Sequence, residues 1–417
     1  MPPLTVFRIT FILILSLAVG IYIYSKLLKL IATLNLKNPK PIQLFSAVLL
    51  CALMATPAFT LFLRSEMDIR EHSAMYVLFT LSSIWFIWVV GTVITFVPLD
   101  AFSAIKNYFQ RWIKKPQLVG EPVAVDGSED HTVNHARREF LSKATTLAPL
   151  AVGFGFPSVV TAYSLINNRS DYLIHSMTLR FPNLPNELRG LKIAQISDIH
   201  SGLYMPQRKM EEITEVINAQ SPDLITLTGD FVSSFKEEIE PFAKGFQGLK
   251  STFGTFSCAG NHDEWAGISA IESAMNEKKL NLLRNRTESL NIDGAKFNVI
   301  GMDFTREKTH YLERALNSAD KDGFNLLLCH HPDFFTHAKR FGIDLMLAGH
   351  THGGQIALDF GGFEFYPIDL FYKYPRGLYE EGASQSQKLY VNLGIGITAT
   401  PLRTVQAEIA LITLEKA

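Results

Sequence analysis

Five short motifs between residues 198 and 352 carry side chains suited to divalent metal ions: Asp198-Ile199-His200, Gly229-Asp230, Gly260-Asn261-His262-Asp263, His330, and Gly349-His350-Thr351-His352. They offer carboxylates from Asp198 and Asp230, an amide oxygen from Asn261, and imidazoles from His200, His330, His350 and His352. Seven such donors exceed what one ion with an open coordination position needs, and they suit two ions sharing a bridging carboxylate. Without a thiolate in the set, Mn, Fe or Zn is expected in preference to copper(I) or an iron–sulfur cluster. Two ions about 3.5–4 Å apart clamp both oxygens of an in-line displacement at phosphorus and generate hydroxide from water near neutral pH, so the chemistry indicated is phosphoester hydrolysis. One histidine alone would be an ordinary packed or surface residue. Five motifs in matching surroundings read as a metal site.

The surroundings match because each motif ends a short apolar run that reads as a buried strand: "LKIAQIS" (191–197), "DLITLT" (223–228), "FGTFSCA" (253–259), "FNLLLC" (324–329) and "DLMLA" (344–348). Helix-like stretches lie between them, around 206–220 with Met210, Ile213, Val216 and Ile217 on one face, then around 237–250, 267–279, 308–318 and 333–340. Alternating strand and helix predicts parallel pairing with helices on the sheet faces, and such sheets bind ligands beyond the carboxyl ends of their strands. Alternation along extended backbone would put Asp198 with His200, and His350 with His352, on common sides. Glycines at 202, 229, 260, 349, 353 and 354 allow the tight backbone of a crowded site. "FNVIGM", following the Asp293-Gly294 turn, reads as a hairpin strand, and "LYVNLGIG" and "VQAEIALITLE" supply further strands, so a second, mixed sheet is expected.

Ahead of this α/β part the composition changes. The 417-residue chain is 47% hydrophobic and 19% charged, and nearly all the apolar excess lies before about residue 168. Charge-free stretches at 9–25, 41–63, 73–99 and 144–168 approach or exceed the roughly 20 residues needed to cross a bilayer as helix. Organisation follows: three transmembrane helices within 1–115, a linker at 116–143, a fourth transmembrane helix at 144–168, and an α/β domain at 169–417. Lys26, Lys29, Lys37 and Lys40 after the first span, and the cations of 106–143 after the third, predict an N-terminus outside and a C-terminal domain outside the cytoplasm. Arg137-Arg138-Glu139-Phe140-Leu141-Ser142-Lys143 resembles a twin-arginine export signal, and it serves equally well as a positive anchor for the fourth span. A formal net charge of -1 argues against nucleic acid as a partner. Cys51, Cys258 and Cys329 form no CxxC pair, and the last two read as small core residues.

The order Asp-x-His, Gly-Asp, Gly-Asn-His-Asp, His, Gly-His-x-His resembles the calcineurin-like metallophosphoesterase family over about residues 190–405. The resemblance implies a two-sheet αββα sandwich. It also implies that Asp198, His200 and His352 hold one ion, that Asp230 bridges, and that Asn261, His330 and His350 hold the second. His262 would be a general acid or phosphate-orienting donor, with Asp263 fixing its ring. "HTHGGQI" and "YVNLGIGITATPLR" look most like the bacterial branch of twin-arginine-exported phosphodiesterases and UDP-2,3-diacylglucosamine pyrophosphatase relatives. One departure is "GDFVSS", where Ser233 or Ser234 stands in place of a further acid. Another is the His330-His331 pair, of which His330 is in the matching register.

Two features remain open at this level. Arg403, after the turn at Gly394 and Gly396, could pin a phosphate oxygen or sit on an edge strand as a surface residue. Phe360, Phe363, Phe365, Tyr366, Phe371, Tyr372, Tyr374 and Tyr379 read first as packing for the second sheet, with an acyl groove or a membrane interface as alternatives. "GFQGLKST" lacks phosphate-loop spacing and no GxSxG occurs. The expectation is a multi-pass cell-membrane protein whose two divalent ions hydrolyse a phosphodiester or pyrophosphate, of lipid or envelope origin. Alternatives are a lipid-nucleotide pyrophosphatase at the cytoplasmic face and a metal-binding envelope protein without turnover.

Overall fold

Apolar side chains alone do not make a membrane helix; the segment must also satisfy its own backbone, which an α-helix does without outside partners. The computed structural model describes residues 3–33, 36–66, 73–113, 148–149, 152–167, 171–359, 361–382, 386–398 and 402–417. It divides into two units, Met1–Ile166 and Asn167–Ala417.

In the first unit α1 spans Pro3–Thr33, α2 Lys40–Glu66 and α3 Ser73–Ile113, and α4 spans Val152–Ile166. Three of these hold stretches long and apolar enough to cross a membrane, Thr10–Thr33, Lys40–Phe59 and Thr80–Lys106. Of the expected fourth span, 144–168, the described part includes the shorter apolar helix α4, and residues 144–147, 150, 151 and 168 lie outside the described residues, so three helices of spanning length are counted among the described residues. Residues 116–143, including Arg137-Arg138, lie outside the described residues. Ile23, Leu50, Trp85, Phe96 and Phe154 pack together inside the unit, while Ile14, Phe45 and Phe86 face outwards. Lys26 is not in a loop, as the charge pattern suggested. It lies within α1, 6% exposed, paired with Asp100 of α3 and set against the rings of Tyr22 and Phe96, so the cation is compensated where the helix continues past Ser25.

The second unit contains strands β1 (Tyr172–Phe181), β2 (Lys192–Ile196), β3 (Leu224–Thr228), β4 (Thr255–Cys258), β5 (Arg286–Ile292), β6 (Ala295–Gly301), β7 (Phe324–Leu328), β8 (Leu345–Ala348), β9 (Leu358–Asp359), β10 (Glu364–Phe365), β11 (Gly377–Glu381), β12 (Gln387–Val391) and β13 (Ala407–Lys416). Its main helices are α5 (Gln207–Ala219), α6 (Ile239–Phe246), α7 (Asn261–Ala266), α8 (Ile268–Glu277), α9 (Thr309–Leu316) and α10 (Phe335–Ala338). A five-stranded sheet has the order β1-β13-β2-β3-β4 and a six-stranded sheet the order β11-β12-β8-β7-β6-β5. Both are mixed. In the first, β13 runs antiparallel to β2 while the other neighbours are parallel; in the second, β5 with β6 and β11 with β12 are antiparallel. Asp293 and Gly294, both at positive φ, turn the β5–β6 hairpin, as their sequence predicts.

The five runs read as core strands do not form one parallel sheet. Three, β2, β3 and β4, belong to the first sheet and two, β7 and β8, to the second. Period-two burial explains how short strands serve two cores. In β7, Leu326 and Leu328 face the other sheet while Leu327 and the following Cys329 face the outer helices; Leu345 and Leu347 of β8 pack inwards and Met346 and Ala348 outwards. Against the outer face of the first sheet lie Met210, Ile213 and Ile217 of α5, Phe242 and Phe246 of α6, and Ile271 and Met275 of α8. Leu312, Ala315, Phe335 and Ala338 cover the second. The layers are therefore helix, sheet, sheet, helix.

Candidate metal centre

At the carboxyl ends of both sheets the chain stops being extended. Asp198 (φ 53°), His200 (φ 49°), Asp230 (φ 54°), His350 (φ 75°) and His352 (φ 52°) all adopt left-handed backbone. Asp and His tolerate this conformation better than branched residues, but five together form a concentration of strain of the kind found at functional sites. The expected alternation along extended backbone is thus not how the paired residues come to share a side. Sharp turns directly after the strands do it. Close approach of the turns dictates two glycines: a Cβ on Gly349 would lie 1.8 Å from Ser197 Oγ, and one on Gly260 would lie 2.1 Å from Asp230 Oδ1.

Six of the seven expected donors converge in two groups. Ligand atoms of Asp198, His200 and His352 lie within 4.8 Å of one another, and so do those of Asp230, His330 and His350. His262 joins His200 and Asp230 in a third such group. His352 Nε2 is 3.3 Å from Asp198 Oδ1 and 3.1 Å from His200 Nε2, and His330 Nε2 is 3.2 Å from Asp230 Oδ2. His330 Nδ1 donates to the Thr228 carbonyl at 2.6 Å, which turns Nε2 towards the carboxylates. Asp198 accepts the His350 N–H with both oxygens at 3.0 Å, and the His350 ring meets the Tyr372 hydroxyl through Nε2 at 3.1 Å.

These residues fit a pair of divalent cations. Asn261 Oδ1 is buried without a hydrogen-bond partner, a state that suits a ligand atom and that core polar atoms avoid. Burial pushes His200 down to about 3 and His350 down to about 2, and also holds His352 well below the ordinary range, so neutral lone pairs are presented. Asp198 is pushed up to about 6 by burial. Burial opposes ionisation of Asp230 as well, but the neighbouring His330, His200 and His262 hold its carboxyl well below the carboxylate range. Burial alone would lower His330, yet Asp230 and Asp198 raise it to about 10; two buried carboxylates demand positive charge between them.

His262 and Asp263 do not form the expected couple. Asp263 accepts the backbone N–H groups of Asp230, Phe231 and Gly260, each at 2.8 Å. His262 Nδ1 instead faces the Ser233 carbonyl at 3.0 Å and Ser234 Oγ at 2.9 Å. Neighbouring positions in the first turn of α7 point in different directions, and the serine in "GDFVSS" takes over the orienting contact. Glu238 in turn fixes that segment by accepting the N–H groups of Ser233, Ser234 and Phe235.

His331 sits outside the three ligand groups. Its Nδ1 accepts the Asp333 N–H at 3.3 Å and its ring lies 4.7 Å from that of His350, so it packs beside the centre and does not turn away from it. Arg403 is neither a phosphate clamp nor a surface residue. Only 1% exposed, it donates to the carbonyls of Val405, Gly396, Leu393 and Gly394 and so shapes the turn against Asp198; burial lowers it to about 10. Cys258 and Cys329 are buried and free. Tyr372 and Phe304, whose ring is 5.6 Å from that of His350, were not separable from other aromatics in the sequence. Phe360 lies outside the described residues.

Residues 191–354 match the family described as calcineurin-like phosphoesterase. The chain is 31% identical over 246 residues to an uncharacterized metallophosphoesterase of Bacillus subtilis, YkuE, across 57% of this chain and 84% of the relative. Similarity to an uncharacterized metallophosphoesterase of Campylobacter jejuni extends through the helical unit, with 26% identity over 427 residues and 98% of each chain covered. A transmembrane protein with metallophosphoesterase domain from Danio rerio is 28% identical over 283 residues, covering 62% of this chain and 61% of its own length.

Proposed function

Because the chain belongs to the calcineurin-like metallophosphoesterase family, we propose that it is a membrane-anchored hydrolase of phosphodiester or pyrophosphate bonds that uses two divalent ions. Asp198, His200 and His352 would hold one ion, Asn261, His330 and His350 the other, with Asp230 shared. When bound, such a pair supplies Lewis-acid stabilisation at phosphorus and a water acidic enough to attack it. The convergence of six histidine and aspartate donors, together with the partnerless buried Asn261 Oδ1, carries this reading.

The chain's own contribution beyond the ligands is His262. A carbonyl cannot donate, so the Ser233 contact puts a proton on Nδ1 and leaves Nε2 as the exchangeable position. In the imidazolium form Nε2–H gives its proton to the leaving oxygen, which has taken the electron pair of the breaking P–O bond. Trp265, its ring 4.6 Å from that of His262, flanks the same side chain.

On this reading the catalytic unit lies outside the cytoplasm, with lipid headgroups or other envelope phosphodiesters as substrates. Lysine and arginine before residue 144 and the charge-free stretch 144–168 support this arrangement. The test is hydrolysis of bis(4-nitrophenyl) phosphate by full-length protein loaded in turn with Mn, Fe and Zn. His262→Ala should keep its metal by elemental analysis and lose roughly 10²–10⁴ in kcat. Metal retained without hydrolysis by either protein would leave a metal-binding protein and no enzyme.

A further inference from the structure

The aromatic stretch after the last ligand splits into two sets. Tyr374 is buried and packs edge-on with Phe335 and Tyr379, and Tyr366 lies beneath the Arg376 guanidinium, 3.5 Å from ring centre to Cζ. Phe363, Leu370 and Phe371 remain 66%, 74% and 71% exposed. Their exposure is built into a defined loop. Phe371 and Tyr372 donate backbone N–H groups to the Ile368 carbonyl, Asp369 pairs with Arg376, and Asp333 accepts the N–H groups of Lys373 and Tyr374.

That tip adjoins the metal centre, since Tyr372, the residue after Phe371, contacts His350. A second exposed aromatic, Trp265 at 66%, contacts His262 of the same centre. Exposed Lys373 follows the tip, and Arg306 lies beside Asp333 with its side chain 63% exposed. Exposed apolar rings flanked by cations are the composition that enters a lipid–water interface and meets anionic headgroups. The chain also carries three helices able to cross a membrane, so a lipid surface is the apolar phase to which this unit is tethered.

We propose that Leu370 and Phe371, together with Trp265, seat the catalytic unit on a lipid surface and present the metal centre to phosphate groups at headgroup level. The substrate half of this statement rests on the hydrolase reading above; the contact with lipid does not.

The test uses full-length protein, one copy per nanodisc, in phosphatidylethanolamine and phosphatidylglycerol. In a Cys51→Ser background, where the remaining cysteines are buried, an environment-sensitive fluorophore is placed at Phe371→Cys and, as control, at Lys321→Cys. Emission at position 371 should shift to the blue and fall at least about twofold with nitroxide-bearing lipids, while position 321 is unaffected. No quenching at 371 overturns the proposal whatever the enzyme does. Quenching that appears only with two copies per disc assigns the tip to self-association and overturns it as well. In a second measurement, Leu370→Ser with Phe371→Ser should lower the ratio of hydrolysis of a chromogenic diacylglycerol phosphodiester to that of bis(4-nitrophenyl) phosphate about tenfold. An unchanged ratio severs lipid contact from substrate choice. If wild type cleaves neither compound, the hydrolase reading fails and quenching alone decides the lipid contact.

Discussion

Asp263 grips the backbone of Asp230: one carboxylate oxygen accepts the Asp230 N–H at 2.8 Å, while the other accepts that of Phe231 at 2.8 Å. Asp230 is therefore held in its left-handed conformation from behind, by a buried carboxyl that accepts the N–H groups of Asp230, Phe231, Val232 and Gly260 and orients no imidazole ring. Replacing Asp263 by Asn turns an amide N–H₂ towards backbone donors. The expected loss is about 1–3 kcal/mol, from buried N–H groups left without an acceptor. Thermal denaturation should show a midpoint lowered by roughly 5–10 °C, with weaker metal retention, and an unchanged midpoint would remove Asp263 from this role.

Tyr372 offers a separate handle on the centre. Its hydroxyl lies 3.1 Å from His350 Nε2, a contact that fixes the ring beside Asp230 and His330. Outer partners of metal-bound imidazoles contribute about 10–100-fold in affinity. Tyr372→Phe should lose metal to a competing chelator at correspondingly lower concentration and regain activity when metal is in excess. A variant with wild-type chelator resistance would contradict this.

Away from the centre, His175 gives a pH signature. Its Nδ1 lies 3.3 Å from Glu408 Oε2 and 3.1 Å from the Tyr390 hydroxyl, and the bond to Glu408 raises its pKa above 6.5. A raised folded-state value for a base means stabilisation that is fully present below about 6.5 and lost as pH rises through the folded value. The side chain is 53% exposed, so the effect is small. Wild type should melt about 1–3 °C above His175→Gln at pH 5.5 and coincide with it in alkaline buffer. A gap that widens with pH would reverse the assignment.

Topology is decided by fusing alkaline phosphatase, which needs an oxidising compartment, after Asn168 or after Ala417. Active fusions are expected. Arg137→Lys with Arg138→Lys then separates the two readings of that pair: loss of activity identifies twin-arginine export, and retention identifies a positive anchor. Stable but inactive fusions would put the centre at the cytoplasmic face.

The candidate donors were legible because each sits directly beside an apolar run, and a strand end is a local feature. Which sheet a run joins is not local. β7 and β8 share the composition of β2 and β3, and only pairing partners distant in the chain send them to the second sheet. β1 was missed because most of "YLIHSMTLRF" is exposed, so its pattern lacks a clear buried face. Arg403 was misread for a similar reason: the carbonyls that receive it come from a turn whose shape appears only when residues 393–396 fold against Asp198. Adjacent His262 and Asp263 looked like partners in sequence, and helix geometry sends their side chains apart.

The position of β13 has a consequence for biosynthesis. Residues 407–416 lie between β1 and β2, pairing with both. The opening strands of this unit therefore leave the ribosome without their common neighbour, and the sheet that carries Asp198 and Asp230 cannot close until residues 407–416 have been made. Ala410, Ile412 and Leu414 also complete the layer between the sheets. A nascent chain halted before Ala407 would display two unpaired strand edges and an open apolar interior, a form that chaperones and proteases recognise. Translation must therefore pass residue 416 before the candidate donors of this sheet can take up their places.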